Sequence, residues 1–262
     1  MVFVDPDDWI LPDYCLGLYN LQAAYSGRGL VIQGMLCRRT DGTSLPSLSL
    51  PDRYLPFSSI GKSFAENNIC EMGYAVSKIY ARSIIEEFSI RFDENIHCLE
   101  DLFVLCISTL LHCDYLVLNH MQNYVYVKHS FSLSHRIHSF ESEYCCFVKY
   151  QQLLAEMMKV WKIPAGDMVV TVNSMLVPFR RALKSDYQPD RTIPREMRVK
   201  HLKRMISESR DVFLKYYHPV FKTDKLGKVL LGFNCYILYD FYIRLLFRLN
   251  IGPVFYGPKH MY

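Results

Sequence analysis

The sequence predicts an α/β region over residues 1–140 and a helical region over residues 141–262. Before residue 140, apolar runs of strand length alternate with helical patterns, whereas beyond it helical patterns follow one another. The chain also opens on the apolar run Met1–Val4, which leads directly into carboxylates, as a buried strand does when it ends at the edge of a sheet. Half of the 262 residues are hydrophobic, which is enough for a sizeable core.

The elements of the α/β region follow from local patterns. A helix is expected from Pro12, because proline suits a first helical turn, to a stop at Gly27. A long surface loop is expected at 45–72, which is rich in Ser and Pro. The other elements, in chain order, are a strand at 30–37, a turn at 40–44, helices at 75–88 and 99–113, and strands at 115–119 and 123–128.

Helices are expected throughout the second region, at 141–161, 166–184, 194–208 and 226–249. The last is amphipathic: Asp240, Arg244 and Arg248 fall within an arc of about 80°, and the remaining face is apolar. Charges near its middle argue against a helix that spans a membrane. Two interpretations stay open, a helix that lies in a membrane interface and a helix that docks onto the rest of the protein. The basic stretch 195–204 likewise either faces anionic lipid or is a solvated helix face.

Composition sets bounds on the function. The net charge of +4 is mild, and no stacking platform or recognised module accompanies the basic residues, so nucleic acid is not an expected partner. The nine cysteines are scattered without a C-x-x-C spacing, and no signal peptide is evident. We therefore expect reduced thiols and a cytoplasmic protein, peripheral on the cytoplasmic face of a membrane if the last helix lies in the interface.

The acidic stretch that follows Met1–Val4 is the first candidate site. Asp5 and Asp7 point to the same side of an extended chain, and such a pair can share a divalent cation that neutralises a phosphate. An acidic turn that caps a helix is the alternative. A calcium loop fits poorly, because Trp9 and Ile10 stand where that motif needs an acid or amide and a glycine. A phosphohydrolase with Asp5 as nucleophile also fits poorly, because Trp9 occupies a position that normally holds Thr or Val.

The second candidate site is the acidic pair Glu100 and Asp101. Both lie in the first turn of the helix predicted at 99–113, where the helix dipole stabilises a carboxylate as an anion. A capping role is the simple interpretation. The body of this helix is apolar almost all round, however, and burial would hold Asp101 as rigidly as a general base must be held.

Four stretches together resemble family 2 glycosyltransferases, which have the GT-A fold. They are "FVDPDDWILPDY", "SKIYARSIIEEFSIRFDE", "CLEDLFVL" and "YVYVKHSFSLSH", and their order and spacing match over residues 2–140. The subgroup they resemble assembles bacterial capsule, exopolysaccharide or lipopolysaccharide. The resemblance implies an inverting enzyme that moves a sugar from a nucleotide diphosphate donor to a glycan or lipid-linked acceptor.

The resemblance also implies roles for individual residues. Asp5 and Asp7 would form the D-x-D motif that holds Mg²⁺ or Mn²⁺ on the donor diphosphate, with Asp8 beside them, and Asp101 would be the catalytic base, with Glu100 adjacent. The remaining matches are Lys78, Tyr80 and Arg82 on the acceptor side and Ser132 and Ser134 in a serine loop that closes over the donor. One position departs from the pattern: Val127 stands where the family usually has an arginine, so that Lys128 is the nearest donor-binding cation.

The start of the chain is a second departure. Family members begin with a strand and several βα units that bind the nucleotide base and ribose, and here Met1–Val4 corresponds to a later strand. The resemblance therefore predicts a partial GT-A (Rossmann-like) mixed sheet that lacks its first βα units and an N-terminally truncated chain. Two other interpretations stay open, a non-catalytic remnant that binds a membrane or a partner, and the D-x-D phosphohydrolase.

Overall fold

The computed structural model describes residues 1–67, 69–94, 96, 105–129, 137–163, 176–188, 191–219 and 222–249. These residues form two compact units. The first consists of residues 1–67, 69–94, 105–129 and 153–163 and is a mixed α/β structure. The second consists of residues 96, 137–152, 176–188, 191–219 and 222–249 and is helical. The predicted fold class, a mixed α/β region followed by a helical C-terminal region, is confirmed.

The secondary structure is as follows. The strands are β1 Trp9–Ile10, β2 Gly29–Gln33, β3 Met35–Arg39, β4 Ser44–Leu48, β5 Arg53–Pro56, β6 Lys78–Tyr80, β7 Tyr115–Asn119 and β8 Tyr124–Lys128. The helices are α1 Tyr14–Ala23, α2 Phe57–Glu66, α3 Arg82–Glu87, α4 Ser108–His112, α5 Phe140–Trp161, α6 Leu176–Ser185, α7 Arg195–Tyr216, α8 Lys222–Gly232 and α9 Tyr236–Arg248. A 3₁₀ turn spans Ile69–Met72.

Two four-stranded sheets form the first unit, in the orders β5-β7-β2-β6 and β1-β8-β3-β4. The central pair of each sheet is parallel, β2 with β7 and β3 with β8, and the outer strands are antiparallel to their neighbours. Both central pairs therefore place their carboxyl ends at a sheet edge, where α/β folds bind ligands. The helix predicted from Pro12 and the strands predicted at 115–119 and 123–128 are confirmed as α1, β7 and β8.

The strand predicted at 30–37 is two strands in different sheets, which meet at Gly34. The N–H of Gly34 donates to the carbonyl oxygen of Asn119 at 3.1 Å, so the chain leaves the first sheet there. A Cβ atom at this position would lie 2.7 Å from the carbonyl oxygen of Leu48 and 2.9 Å from Cγ of Gln122. Only glycine allows this close approach, and the apolar pattern on both sides of it hides the break.

Three further expectations for this unit were wrong. The loop predicted at 45–72 contains β5, α2 and part of β4, because the prolines Pro46 and Pro56 sit in edge strands, which can lack a backbone donor. The helix predicted at 75–88 is the short strand β6 followed by α3. The run Met1–Val4, expected to be a buried strand, is not one: Val2 forms an isolated antiparallel bridge with Ile79 of β6, and Met1 and Val4 are exposed.

The helical unit packs residues 140–152 of α5 and the helices α6 to α9 around one apolar core. Helices predicted at 141–161 and 194–208 are confirmed as α5 and α7, and α7 extends further than predicted. The helix predicted at 226–249 is two helices, α8 and α9, because Asn234 adopts the left-handed conformation, with φ of 58°. The core includes Phe140, Tyr144, Phe147, Phe179, Leu183, Leu202, Met205, Ile206, Leu231, Tyr239, Ile243 and Leu246.

No helix in the part of the chain that the structure describes has both the length and the apolar character needed to cross a bilayer.

Candidate functional site

Three carboxylates converge on the turn before β1. One ligand oxygen from each of Asp5, Asp7 and Asp8 lies within 4.8 Å of the others. A backbone hydrogen bond from the N–H of Asp8 to the carbonyl oxygen of Asp5, at 3.2 Å, closes the turn. Asp5 and Asp7 are exposed, whereas Asp8 is only 9% exposed. The sequence predicted Asp5 and Asp7 on one side of an extended chain, and in the structure a turn brings all three together.

Asp8 is tied to strand β8. Its carboxylate accepts a hydrogen bond from the hydroxyl of Tyr124 at 2.6 Å and another from the backbone N–H of Val127 at 2.8 Å. Burial raises the pKa of the Asp8 carboxyl above its ordinary value, although both hydrogen bonds act in the opposite direction. Burial and the bond to Asp8 raise the pKa of the Tyr124 hydroxyl. Asp8 therefore anchors the turn and leaves Asp5 and Asp7 to face solvent.

Tyr124 and His129 complete the surroundings of the turn, and neither was expected from the sequence. The hydroxyl oxygen of Tyr124 also accepts a hydrogen bond from the backbone N–H of Asp5 at 3.1 Å, so this tyrosine holds both ends of the turn. Nε2 of His129, directly after β8, lies 3.3 Å from a carboxylate oxygen of Asp7. The signal in the sequence is that both residues lie in the stretch "YVYVKHSFSLSH", Tyr124 in the strand before the predicted serine loop and His129 directly after that strand.

Cations stand at the carboxyl end of the central strands of this sheet. Lys128 is the last residue of β8, and the register of the parallel pair sets it beside Arg39, the last residue of β3. Both Lys128 and Asp8 act electrostatically on the Cys37 thiol, whose pKa burial raises above its ordinary value. Acidic and basic groups thus share one edge of the sheet, a combination that suits a metal-bound phosphate.

The residues expected on the acceptor side lie on β6 and α3. Lys78 is fully buried: its Nζ donates to the carbonyl oxygens of Tyr74 and Val76 and stands 3.6 Å from the centre of the Tyr74 ring. Tyr80 is also fully buried, and its hydroxyl donates to the carbonyl oxygen of Ala75 at 3.1 Å. Arg82 opens α3 with its side chain 75% exposed, 2.7 Å from Glu86. Of the three, Arg82 is the side chain that a ligand can reach from solvent.

The remaining predicted site residues fall outside the described part of the chain. They are Asp101, the predicted base, its neighbour Glu100, and Ser132 and Ser134 of the predicted serine loop. Residues Leu105, Ile107, Leu110 and Leu111, farther along the helix expected at 99–113, are buried, in line with the apolar pattern that predicted it.

The chemistry of the donor set fits a hard divalent cation. Asp5 and Asp7 offer exposed carboxylate oxygens at short separation, and Mg²⁺ or Mn²⁺ is commonly held by one or two carboxylates together with phosphate oxygens. Asp8 has an oxygen within the same cluster, but both of its carboxylate oxygens already accept hydrogen bonds from β8. A cation here would bring positive charge to the sheet edge that Lys128 and Arg39 already make basic.

Comparison with known proteins shows which solved structure has a similar fold. No protein-family model matches the sequence, and no curated protein matches it. Among solved structures, the crystal structure of residues 1–349 of TarS from S. aureus in complex with UDP-GlcNAc is similar, with a TM-score of 0.62 and 15% sequence identity. The match covers 95% of this chain and 67% of the TarS chain. The described residues therefore have a glycosyltransferase-like fold.

Proposed function

We propose that the chain binds a nucleotide diphosphate sugar and transfers the sugar to an acceptor hydroxyl. The observation that carries this proposal is the cluster of Asp5, Asp7 and Asp8 at a sheet edge of a glycosyltransferase-like fold. The similar TarS structure holds UDP-GlcNAc, which supports a nucleotide sugar as the donor class. The resemblance of the four sequence stretches to family 2 glycosyltransferases supports, as acceptor, a glycan or a lipid-linked molecule in cell-surface polysaccharide synthesis.

In this proposal Asp5 and Asp7 hold Mg²⁺ or Mn²⁺ against the donor diphosphate. When bound, the cation neutralises the charge that develops on the leaving diphosphate. Asp8 positions the two ligands by fastening their turn to Tyr124 and Val127. Lys128 contributes a further positive charge at the same edge. The turn is preorganised by these hydrogen bonds, which lowers the cost of ordering it when the donor binds.

The finer parts of the proposal rest on the family resemblance. The reaction inverts the anomeric centre, Asp101 takes the proton of the acceptor hydroxyl with Glu100 beside it, and Ser132 and Ser134 close over the donor. Arg82 is the acceptor-side residue whose exposure best suits contact with a charged or polar acceptor. Lys78 and Tyr80 support the backbone from Tyr74 to Val76 and so shape that side of the site.

Isothermal titration calorimetry with UDP-GlcNAc, in Mn²⁺ and in EDTA, tests the proposal. The wild type is expected to bind more tightly with Mn²⁺, and Asp7→Asn is expected to lose that gain, at least about tenfold, because one ligand charge is removed. Asp7 is exposed, so thermal unfolding of the variant should match the wild type. Asp13→Asn is the matched control, because Asp13 is exposed, lies outside the cluster and makes no side-chain cap to α1.

Three results would contradict the proposal. One is no heat of binding from UDP-GlcNAc, UDP-glucose or another common nucleotide sugar. Another is equal affinity in Mn²⁺ and in EDTA, which would remove the metal from the site. The third is an Asp7→Asn variant that keeps its Mn²⁺-dependent gain, which would place the cation elsewhere.

A further inference from the structure

The outer side of α8 and α9 presents an apolar surface to solvent, which we call the outer face. It consists of Leu226, Val229, Phe233, Ile237, Leu238, Phe241, Leu245 and Leu249, whose exposed fractions lie between 40% and 78%. Their spacing of three, four and seven residues places them on one side of each helix, opposite the core residues Leu231, Tyr239, Ile243 and Leu246. Phe233 lies at the corner between the helices and is 78% exposed. Exposure of these eight large apolar side chains within residues 226–249 is typical of an interaction surface.

The exposed charges of the segment that carries the outer face are of one sign. Residues 222–249 contain two acids, Asp224 and Asp240, which are 9% and 1% exposed. Asp240 is bound by Nε and Nη2 of Arg198, at 2.6 and 2.9 Å, and is thereby neutralised. The cations of the same segment reach solvent fully or in part; they are Lys222, Lys225, Lys228, Arg244 and Arg248.

Cations from a neighbouring helix extend this pattern. A groove between α7 and α9 is lined by Arg195 and Lys203 of α7 together with Ile237, Phe241 and Arg244. Among the residues that line this groove, the one acid is the buried Asp240. The outer face is thus an apolar stripe with positive charge along its borders and its negative charge withdrawn into the core.

We propose that the outer face binds the surface of an anionic lipid membrane. Aromatic and leucine side chains can enter the boundary between headgroups and acyl chains while flanking lysines and arginines meet lipid phosphates. Each such cation strengthens binding to an anionic surface about fivefold. A second copy of this chain suits the face less well, because a two-fold interface would set these cations against each other. The inference is independent of the transfer activity.

Vesicle co-sedimentation of the full chain tests this proposal. Vesicles of phosphatidylcholine that also contain phosphatidylglycerol are expected to bind the protein more tightly than phosphatidylcholine alone, and added salt is expected to weaken the binding. Phe241→Glu is expected to weaken binding about tenfold or more, since it removes an apolar anchor and adds a repelled charge. The double variant Arg244→Gln, Arg248→Gln is expected to bind vesicles that contain phosphatidylglycerol about fivefold more weakly for each cation removed. Its binding to vesicles of phosphatidylcholine alone should not change.

Matched controls separate lipid binding from misfolding. Leu16→Glu makes the same kind of change at a leucine of α1 that is 56% exposed, and it is expected to bind vesicles as the wild type does. Because Phe241 is 63% exposed, Phe241→Glu should unfold at the wild-type temperature.

Several outcomes would overturn the proposal. The first is wild-type protein that stays in the supernatant with phosphatidylglycerol vesicles at low salt. The second is Phe241→Glu protein that sediments as well as the wild type. The third is a Leu16→Glu variant that loses as much vesicle binding as Phe241→Glu does. A wild-type dimer in analytical ultracentrifugation that Phe241→Glu dissociates would assign the face to a second copy instead.

Discussion

Lys184, in the last turn of α6, is the described residue whose protonation most clearly opposes the fold. Burial, and then the neighbouring charges of Arg180 and Arg181, lower the pKa of its ammonium group to about 8, whereas Asp224 acts in the opposite direction. In the unfolded chain the group titrates near its usual 10.5. Between these two values the unfolded state binds more protons than the folded state, so the free energy of unfolding rises as pH rises from about 8 to 10.5.

Lys184→Met is therefore expected to stabilise the protein at neutral pH. The gain should be about 1 kcal/mol, since partial exposure screens much of the cost that the shift in pKa implies. The difference between variant and wild type should shrink as the pH passes from 8 towards 10.5. Urea unfolding of both proteins at pH 7 and between pH 8 and 10.5 measures this difference in the free energy of unfolding. A constant difference across both pH values, or a less stable variant at pH 7, would show that Lys184 makes contacts worth more than its desolvation costs.

At the acid cluster, the sequence identified the three carboxylates but not which of them has a structural role and which face solvent. Three carboxylates in four positions indicate a cation site, yet nothing local shows which of them the fold uses for itself. Tyr124 and Val127, far along the chain, determine which carboxylate has a structural role: they bind Asp8 and leave Asp5 and Asp7 exposed. A strand pairing between β1 and β8 is a tertiary event, and a single sequence carries no local signal for it.

At the scale of elements, α9 shows how a helix can hide a charge. Asp240 accepts hydrogen bonds from Arg198 of α7 and from the hydroxyl of Tyr187, at 3.0 Å for the latter. The side chains of Arg198 and Asp240 are only 10% and 2% exposed. Removal of one partner from such a buried pair leaves an uncompensated charge, which is more costly than the net value of the pair.

Asp240→Ala is expected to lower the free energy of unfolding by about 3–5 kcal/mol. Arg244→Ala, one turn farther along the same helix, is the matched control: its side chain is exposed, so the change should stay within about 0.5 kcal/mol. Chemical denaturation followed by circular dichroism gives both values. If the two variants lost similar stability, the pair would not be the element that holds α9 against α7.

The helical pattern predicted that α9 is amphipathic and left open whether it docks or lies on a membrane. The structure shows that one side of α9 docks, through Tyr239, Ile243 and Leu246, and that another apolar side stays exposed. Asp240, Arg244 and Arg248 share an arc, as expected, but Asp240 points into the core because Arg198 is there to meet it. Periodicity identifies faces, whereas the choice of the buried face depends on partners from other elements.

At the scale of the whole molecule, the fold class was predictable and the strand count was not. Alternation of apolar runs with helical patterns is a property of long segments and survives local exceptions. The edge strands β4 and β5 were missed because prolines and serines in them mimic a loop, and the junction of the two sheets was missed because Gly34 interrupts no apolar pattern. These are positions where tertiary contacts override local preference.

Gly34→Ala tests the junction. A methyl group would press on the carbonyl oxygen of Leu48 and on the side chain of Gln122, and the expected loss is about 1–3 kcal/mol in the free energy of unfolding. Gly17→Ala in α1 is the control: its new methyl would meet only Met121, at 3.9 Å, and alanine favours a helix, so stability should hold or rise. Urea unfolding measures the stability of both variants. Equal stability would mean that the backbone at Gly34 can accept a methyl group without strain.

The central pairs of the two sheets have a consequence for synthesis of the protein. Residues 29–39 supply β2 and β3, and residues 115–128 supply β7 and β8, so the same two stretches build the middle of both sheets. On the ribosome β3 and β2 can pair early with β4 and β6, but their other edges have no partner until residues 115–128 have emerged, and parallel pairing of distant segments is slow. The apolar strand Gly29–Gln33 stays open to other nascent chains during that interval. Yield in a cell therefore depends on the pace of translation and on chaperones that cover this strand.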